Sequence, residues 1–261
     1  MNILILISSY RKMGNTDLVA AIIGEDLQLA AKANNEPLVL NTLYLGHMGL
    51  EPCRGCRVCF DRGEEFCPIK DEFKSIKTAM KSADCIILAG PVYVDDVNGI
   101  MKNWIDRLAH VCHRPEFAGK SAYLLVTVGS SRTGHALRTM DTALRLWGFH
   151  IIGKAGLKTG AKTDRVQIES VHGEKLSKVA AIIFTDLKKE RFKNPSFISL
   201  MMFKIQQIGW SRAPQSTIDY KFWKEKGWLN GRQKFFIQPE GNFIKIGLAR
   251  FVGTVVAKFL I

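Results

Sequence analysis

The chain has 261 residues, 47% of them hydrophobic, enough to bury a full core in one α/β domain with an extension. No apolar run approaches the ~20 residues of a membrane span, and the apolar start lacks a basic n-region and runs straight into Arg11-Lys12. The expectation is a cytoplasmic chain, where six cysteines argue against a disulfide framework and for metal or redox chemistry.

Asn2 to Ile7 is a continuous apolar, β-branched run, read as a strand covered on both faces. It breaks at Ser8-Ser9-Tyr10-Arg11-Lys12-Met13-Gly14-Asn15-Thr16. A helix follows, with Leu18, Val19, Ile22, Ile23 and Leu27 at 3–4 spacing and Asp17 in its first turn. A buried strand feeding a hydroxyl-rich loop at a helix N-terminus makes an anion site. Free N–H groups and the helix dipole favour a phosphate, and Ser9, Asn15 and Thr16 add side-chain donors. The Walker spacing and the glycine pattern of the dinucleotide fold are both absent. Taken alone, the stretch favours an ordinary capped βα turn.

The same nine residues resemble the G-S-P-R-x-x-G-N-T phosphate loop of the NADPH-dependent FMN reductase branch of flavodoxin-like proteins. Ser8 and Tyr10 depart from it, whereas Ser9, Arg11, Gly14, Asn15 and Thr16 keep it. The resemblance implies bound FMN with its phosphate on this loop, held by Ser9, Arg11, Asn15 and Thr16.

Pro37 to Leu45 reads as a second strand, and a cysteine-rich stretch at 47–70 comes next. Cys53, Cys56, Cys59 and Cys67 are spaced C-x2-C-x2-C-x7-C, with Gly and Pro to bend the loop. Four thiolates this close can wrap one tetrahedral metal or one cubane cluster. Arg54 and Arg57 are expected to ease thiol deprotonation. The spacing resembles the iron–sulfur flavoprotein family, which implies a [4Fe–4S] cluster beside FMN. Zinc and free redox-active thiols are the other readings of the same four residues. Cys85, in a strand pattern, reads as core.

A helix over 71–82 leads to a third strand, Ala83 to Gly90, ending at Pro91-Val92-Tyr93-Val94-Asp95-Asp96-Val97-Asn98, with a helix from Gly99 to Val111. In the flavodoxin-like order 2-1-3-4-5 the loops after strands one and three share one crevice. A flavin there needs backbone polar groups on one edge and an apolar or aromatic wall. The family's P-V-Y-x8-K segment is matched by Pro91, Val92, Tyr93 and Lys102, which implies flavin contacts at Pro91, Val92, Tyr93, Val94 and Asn98. Asp106-Arg107 reads as a structural charge pair. Ser121 to Val128 is the fourth strand. The loop after it, from Gly129 to His135, stands where the family has its third flavin loop, so Gly129 is a further expected contact. A helix from Ala136 to Trp147 and a short strand over 149–152 complete a five-stranded doubly wound parallel sheet. No histidine is paired with Ser or Cys in a nucleophile motif, so no catalytic residue is expected.

Beyond Lys162 the βα alternation stops. Helices are expected from about Thr163 to Phe192, over the Met- and Phe-rich stretch 195–209, and from Phe243 to Ile261. Asp219, Trp223, Gly227 and Trp228 resemble a D-x-x-x-W-x-x-x-G-W segment of the extension in some of these flavoproteins, and the tryptophans read as anchors. From residue 161 onward 18 Lys and Arg stand against 8 Asp and Glu, most of the net +13. Such a third suggests an acidic partner, an anionic membrane surface or nucleic acid, or simply a solvated face.

The expected organisation is a flavodoxin-like FMN domain at 1–160 and a basic, mainly helical extension at 161–261. The resemblance implies an FMN-dependent oxidoreductase passing electrons between ferredoxin or NAD(P)H and a small acceptor through the cluster. An FMN-only quinone or flavin reductase is the first alternative. A non-catalytic zinc module with a basic partner-binding extension is the alternative from another class. A homo-oligomer formed through the extension is expected, with peripheral membrane contact second and no nucleic acid.

Overall fold

The computed structural model describes residues 1–161, 163–189, 194–239 and 242–260. Strands β1 (Asn2–Ile7), β2 (Val39–Tyr44), β3 (Cys85–Tyr93), β5 (Ser121–Val128) and β6 (His150–Lys158) form a parallel sheet in the order β2-β1-β3-β5-β6. A two-residue strand β4 (Asp96–Val97) pairs back on β3. Without β4, this is the expected flavodoxin-like order.

The alternation of β1 sorts the two faces. Ile3, Ile5 and Ile7 pack with helices α1 (Asn15–Ala33) and α6 (Arg165–Lys188), whereas Leu4 and Leu6 meet the other core. That second core is built by α3 (Phe73–Ser82), α4 (Gly99–Arg107) and α5 (Gly134–Leu146), with α2 (Val58–Asp61) a single turn in the cysteine loop. α6 therefore belongs to the same layer as α1. Arg165 pairs with Glu25, and Ser177 donates to Asp26 at 2.8 Å.

Two strands run further than the sequence suggests. β6 continues from 152 to Lys158 because its glycines serve packing, not turning. A Cβ on Gly153 would stand 2.3 Å from the Tyr123 ring, and one on Gly156 2.2 Å from the Thr133 hydroxyl. β3 runs through Pro91 to Tyr93; pairing with β1 has ended at Ala89, so proline interrupts no ladder there.

The remaining helices α7 (Phe197–Arg212), α8 (Ile218–Glu225) and α9 (Phe243–Leu260) build two smaller cores. Phe203 is fully buried against Trp223 and Trp228, and the Gln207 amide donates to the carbonyls of Trp228 and Asn230 at 2.7 and 2.9 Å. The expected helix ends at Phe192 and Ile261 lie outside the described residues. Among the described residues no helix is long and apolar enough to cross a membrane.

Candidate functional site

The loop after β1 is held from beneath. Ser8 N donates to Ala89 O at 2.9 Å and the Asn98 amide to Ser8 O at 2.6 Å, while Asn98 Oδ1 caps α4 by accepting from Met101 N. The Ser9 hydroxyl accepts from Arg11 N at 3.1 Å. Asp17 reaches back from the first turn of α1 to Met13 N at 2.7 Å and accepts from the Tyr44 hydroxyl at 2.7 Å. That bond to a carboxylate pushes the Tyr44 phenol up to about 12.

The start of α1 is stitched sideways as well. Thr16 and Thr127 share a buried hydroxyl pair at 2.6 Å, and the Asn15 amide donates to Thr159 Oγ1 and Gly160 O, both at 2.9 Å. Thr159 and Gly160 escape the sequence because β6 runs on past residue 152, and Thr127 because only the fold brings the end of β5 beside α1. No side chain caps the N-terminus of α1 at Gly14. A Cβ on Gly14 would stand 3.9 Å from Arg11 Nε, so the guanidine lies alongside that terminus. Ser8 Oγ is buried and has no hydrogen-bond partner. That hydroxyl faces Gly90 and Met101 on the α4 side, so the phosphate fit rests on the uncapped helix start beside Arg11.

Pro91 to Asn98 is a hairpin, not the plain loop expected. Val92 pairs with Val97 and Tyr93 with Asp96 around a two-residue turn, Val94 and Asp95, both left-handed at φ 47° and 65°. A β-branched residue in that region is strained, since such turns favour Asn-Gly. Val94 is fully exposed and Tyr93 half exposed. Asp96 steadies the hairpin by accepting from Val97 N at 2.7 Å and from the Thr139 hydroxyl at 2.9 Å. The exposed loop at 129–132 lies next to Gly160, whose carbonyl carbon is 3.9 Å from where a Cβ on Gly129 would stand.

The cysteine loop is tied at its neck and along one side. Glu51 N donates to Asp71 at 2.9 Å, and Arg107 bonds both Asp71 oxygens at 2.6 and 2.9 Å and the Glu51 carbonyl at 2.9 Å. Arg107 thus pairs with Asp71 rather than with its neighbour Asp106, which takes Lys102. Cys53 N donates to Asn103 Oδ1 at 3.0 Å. Further on, Arg114 donates to Cys59 O at 2.6 Å and pairs with Asp219. Left-handed Gly55 and Arg57 turn the chain between the first three thiols. Cys53 and Cys56 are exposed, Cys59 and Cys67 half-buried.

Burial first, then the nearby Cys53 and Cys67 thiols, push the Cys59 thiol up. The expected help from Arg54 and Arg57 is diverted, because they pair with Glu51 and Asp61. One Zn²⁺ with ligands at about 2.3 Å would need sulfurs about 3.8 Å apart. Among the described residues, the group of three metal-capable side chains with ligand atoms within 4.8 Å is instead Glu64, His110 and Glu116. The Lys77 ammonium already fills that space, 2.9 Å from Glu64, 2.6 Å from Glu116 and 3.3 Å from His110 Nε2. Burial works against the Glu64 charge, yet Lys77 holds its carboxyl at about 2. Burial, then Lys77, pushes His110 down to about 4.

Tyr10, Gly46, Cys53, Tyr93 and Lys102 line one open crevice of about 690 Å³. The loop after β1, the first cysteine and the hairpin after β3 therefore face the same space.

Residues 1–163 match the family described as NADPH-dependent FMN reductase. An iron-sulfur flavoprotein of Archaeoglobus fulgidus is 26% identical over 226 residues, covering 86% of this chain and 98% of that protein. An iron-sulfur flavoprotein of Methanosarcina thermophila is 28% identical over 163 residues, 61% of this chain and 82% of that one. The apo form of an NADH:FMN oxidoreductase shares the fold at a TM-score of 0.52 and 18% identity, covering 72% of this chain and 91% of its own. A putative quinone reductase from Klebsiella pneumoniae does so at 0.53 and 17%, covering 73% and 86%.

Proposed function

This chain belongs to the NADPH-dependent FMN reductase family and is an FMN-dependent oxidoreductase; on that premise we propose that it relays electrons through a [4Fe–4S] cluster on Cys53, Cys56, Cys59 and Cys67. The observation that carries the proposal is the shared crevice, which Cys53 and Tyr93 both line. Support comes also from the four thiols on a loop whose ends are pinned, and from relatives named as iron-sulfur flavoproteins.

FMN supplies one- and two-electron transfer when bound, and the cluster one-electron transfer. In this proposal the phosphate lies at the open start of α1, against Ser9 and Arg11. Asn15 and Thr16 hold that loop through Thr159, Gly160 and Thr127. Pro91, Val92, Tyr93, Val94 and Gly129 wall the isoalloxazine, and Asn98 fixes the hairpin to the phosphate loop. Arg107 and Arg114 position the thiols from behind. The donor is reduced ferredoxin or NAD(P)H, and the acceptor a small oxidised molecule reaching the crevice.

Anaerobic purification with flavin, iron and sulfide counts tests this. One FMN with four irons and four sulfides per chain is the expected result. Stoichiometric zinc, or flavin with no metal and four free thiols, overturns the cluster assignment and leaves an FMN-only reductase.

A further inference from the structure

Helix α9 has two apolar faces, and only one is covered. Ile246 and Ala249 are buried with Leu200 of α7, and Gly253 lets the helices touch, since a Cβ there would stand 2.8 Å from Met201 O. On the other side Ile244, Leu248, Phe251, Val255 and Phe259 recur at the same 3–4 spacing. They remain in solvent, from 39% exposed at Val255 to 85% at Phe259, with Phe243 beside them at 79%. The five of the stripe leave on the order of 500 Å² of apolar surface together, at the upper end of the largest patch usual on a monomer.

Charge selects what covers the stripe. Described residues 194–239 and 242–260 carry ten Lys and Arg against two carboxylates, Asp219 and Glu225, and Asp219 is buried against Arg114. α7 and α9 contain no Asp or Glu at all. The Lys234 ammonium lies 5.5 Å from the centre of the exposed Phe243 ring, and exposed Lys258 sits between Val255 and Phe259. A second copy pairing stripe to stripe would bring Lys234 and Lys258 of both copies together with no carboxylate on α9 to offset them. An anionic bilayer accepts both features, the apolar side chains at the acyl boundary and the cations at the head groups. At 18 residues, and not apolar enough to span, α9 suits lying in the interface plane.

We propose that α9 docks this protein onto an anionic lipid surface through Ile244, Leu248, Phe251, Val255 and Phe259. The test floats the full-length protein with vesicles of phosphatidylcholine, with and without phosphatidylglycerol, and measures its mass by light scattering. Partitioning to the anionic vesicles should exceed that to neutral ones about tenfold and fall with added salt. Phe251→Ser with Phe259→Ser should abolish it, while Lys258→Gln weakens it about fivefold. Retained FMN and an unchanged melting curve show that these surface variants still fold. No flotation of the parent protein, or equal flotation of the double variant, overturns the proposal. A dimer that the double variant converts to a monomer overturns it too, and gives the stripe to a second copy.

Discussion

Arg114 pairs with Asp219 across 105 residues of sequence, and its other guanidinium nitrogen holds the carbonyl of Cys59 at 2.6 Å. Both charged side chains are buried. His113 bonds the second Asp219 oxygen at 2.9 Å, and Trp223 donates its indole N–H to the His113 carbonyl at 2.8 Å. The aspartate and first tryptophan of the extension segment therefore anchor it directly behind the cysteine loop.

Asp219→Asn removes the nearer of the two carboxylates that pair with buried Arg114 and leaves Glu64 at 3.3 Å, which costs about 1–3 kcal/mol. We expect a lower denaturation midpoint, and faster thiol labelling of Cys59 in the metal-free protein than in the parent. Asp219→Glu should recover part of both. Unchanged labelling in a destabilised Asp219→Asn protein would confine the pair to a structural role.

Arg11→Ala should weaken FMN binding to the apoprotein about tenfold to a hundredfold, as loss of one charge-assisted bond predicts. Flavin fluorescence titration reads this directly. Arg11 is exposed and its bonds to Ser9 run through its backbone, so the melting temperature should not move. Full affinity in this variant would place the phosphate elsewhere.

Val94→Gly should stabilise the apoprotein by about 1 kcal/mol, because glycine adopts the left-handed turn without strain. It should also weaken FMN several-fold if Val94 walls the flavin. Urea titration and flavin binding separate the two effects. Greater stability with unchanged affinity removes Val94 from the wall.

Acid should destabilise the fold through His110 and Glu64. The unfolded chain binds the His110 proton near 6.5 and the folded chain only near 4, so stability is fully present above 6.5 and falls as the pH drops through 4. The total is on the order of 3 kcal/mol. Glu64 acts in the same direction at lower pH, its share present above 4.5 and lost as the pH falls through about 2. His110→Gln should flatten the urea midpoint between pH 7 and pH 5. A parent midpoint that does not change over that interval would contradict the shift.

The sheet order was legible because β1, β3 and β5 are uninterrupted apolar runs that only a doubly covered sheet explains. Their ends were less so. Gly153 and Gly156, past the expected strand end at 152, lie under Tyr123 and Thr133, and Val94 gives no turn signal at all. The four thiols and the phosphate loop stand out by local spacing. Their supports do not, since Asp71, Arg107, Arg114 and Asp219 meet only through the fold. The helix over Phe243–Leu260 was legible, but not which of its faces α7 covers.

The neck of the cysteine loop bears on how that loop is ordered. Glu51 and Asp71 are joined directly and clamped by Arg107, so the fold itself closes a loop of about 20 residues. Closing such a loop in a free chain costs on the order of 3 kcal/mol. Here the buried Arg107–Asp71 pair and the Glu51–Asp71 bond offset it. The span that carries the four cysteines is thus closed by a buried ion pair at its own neck, so loosening Arg107 or Asp71 should free the whole span at once.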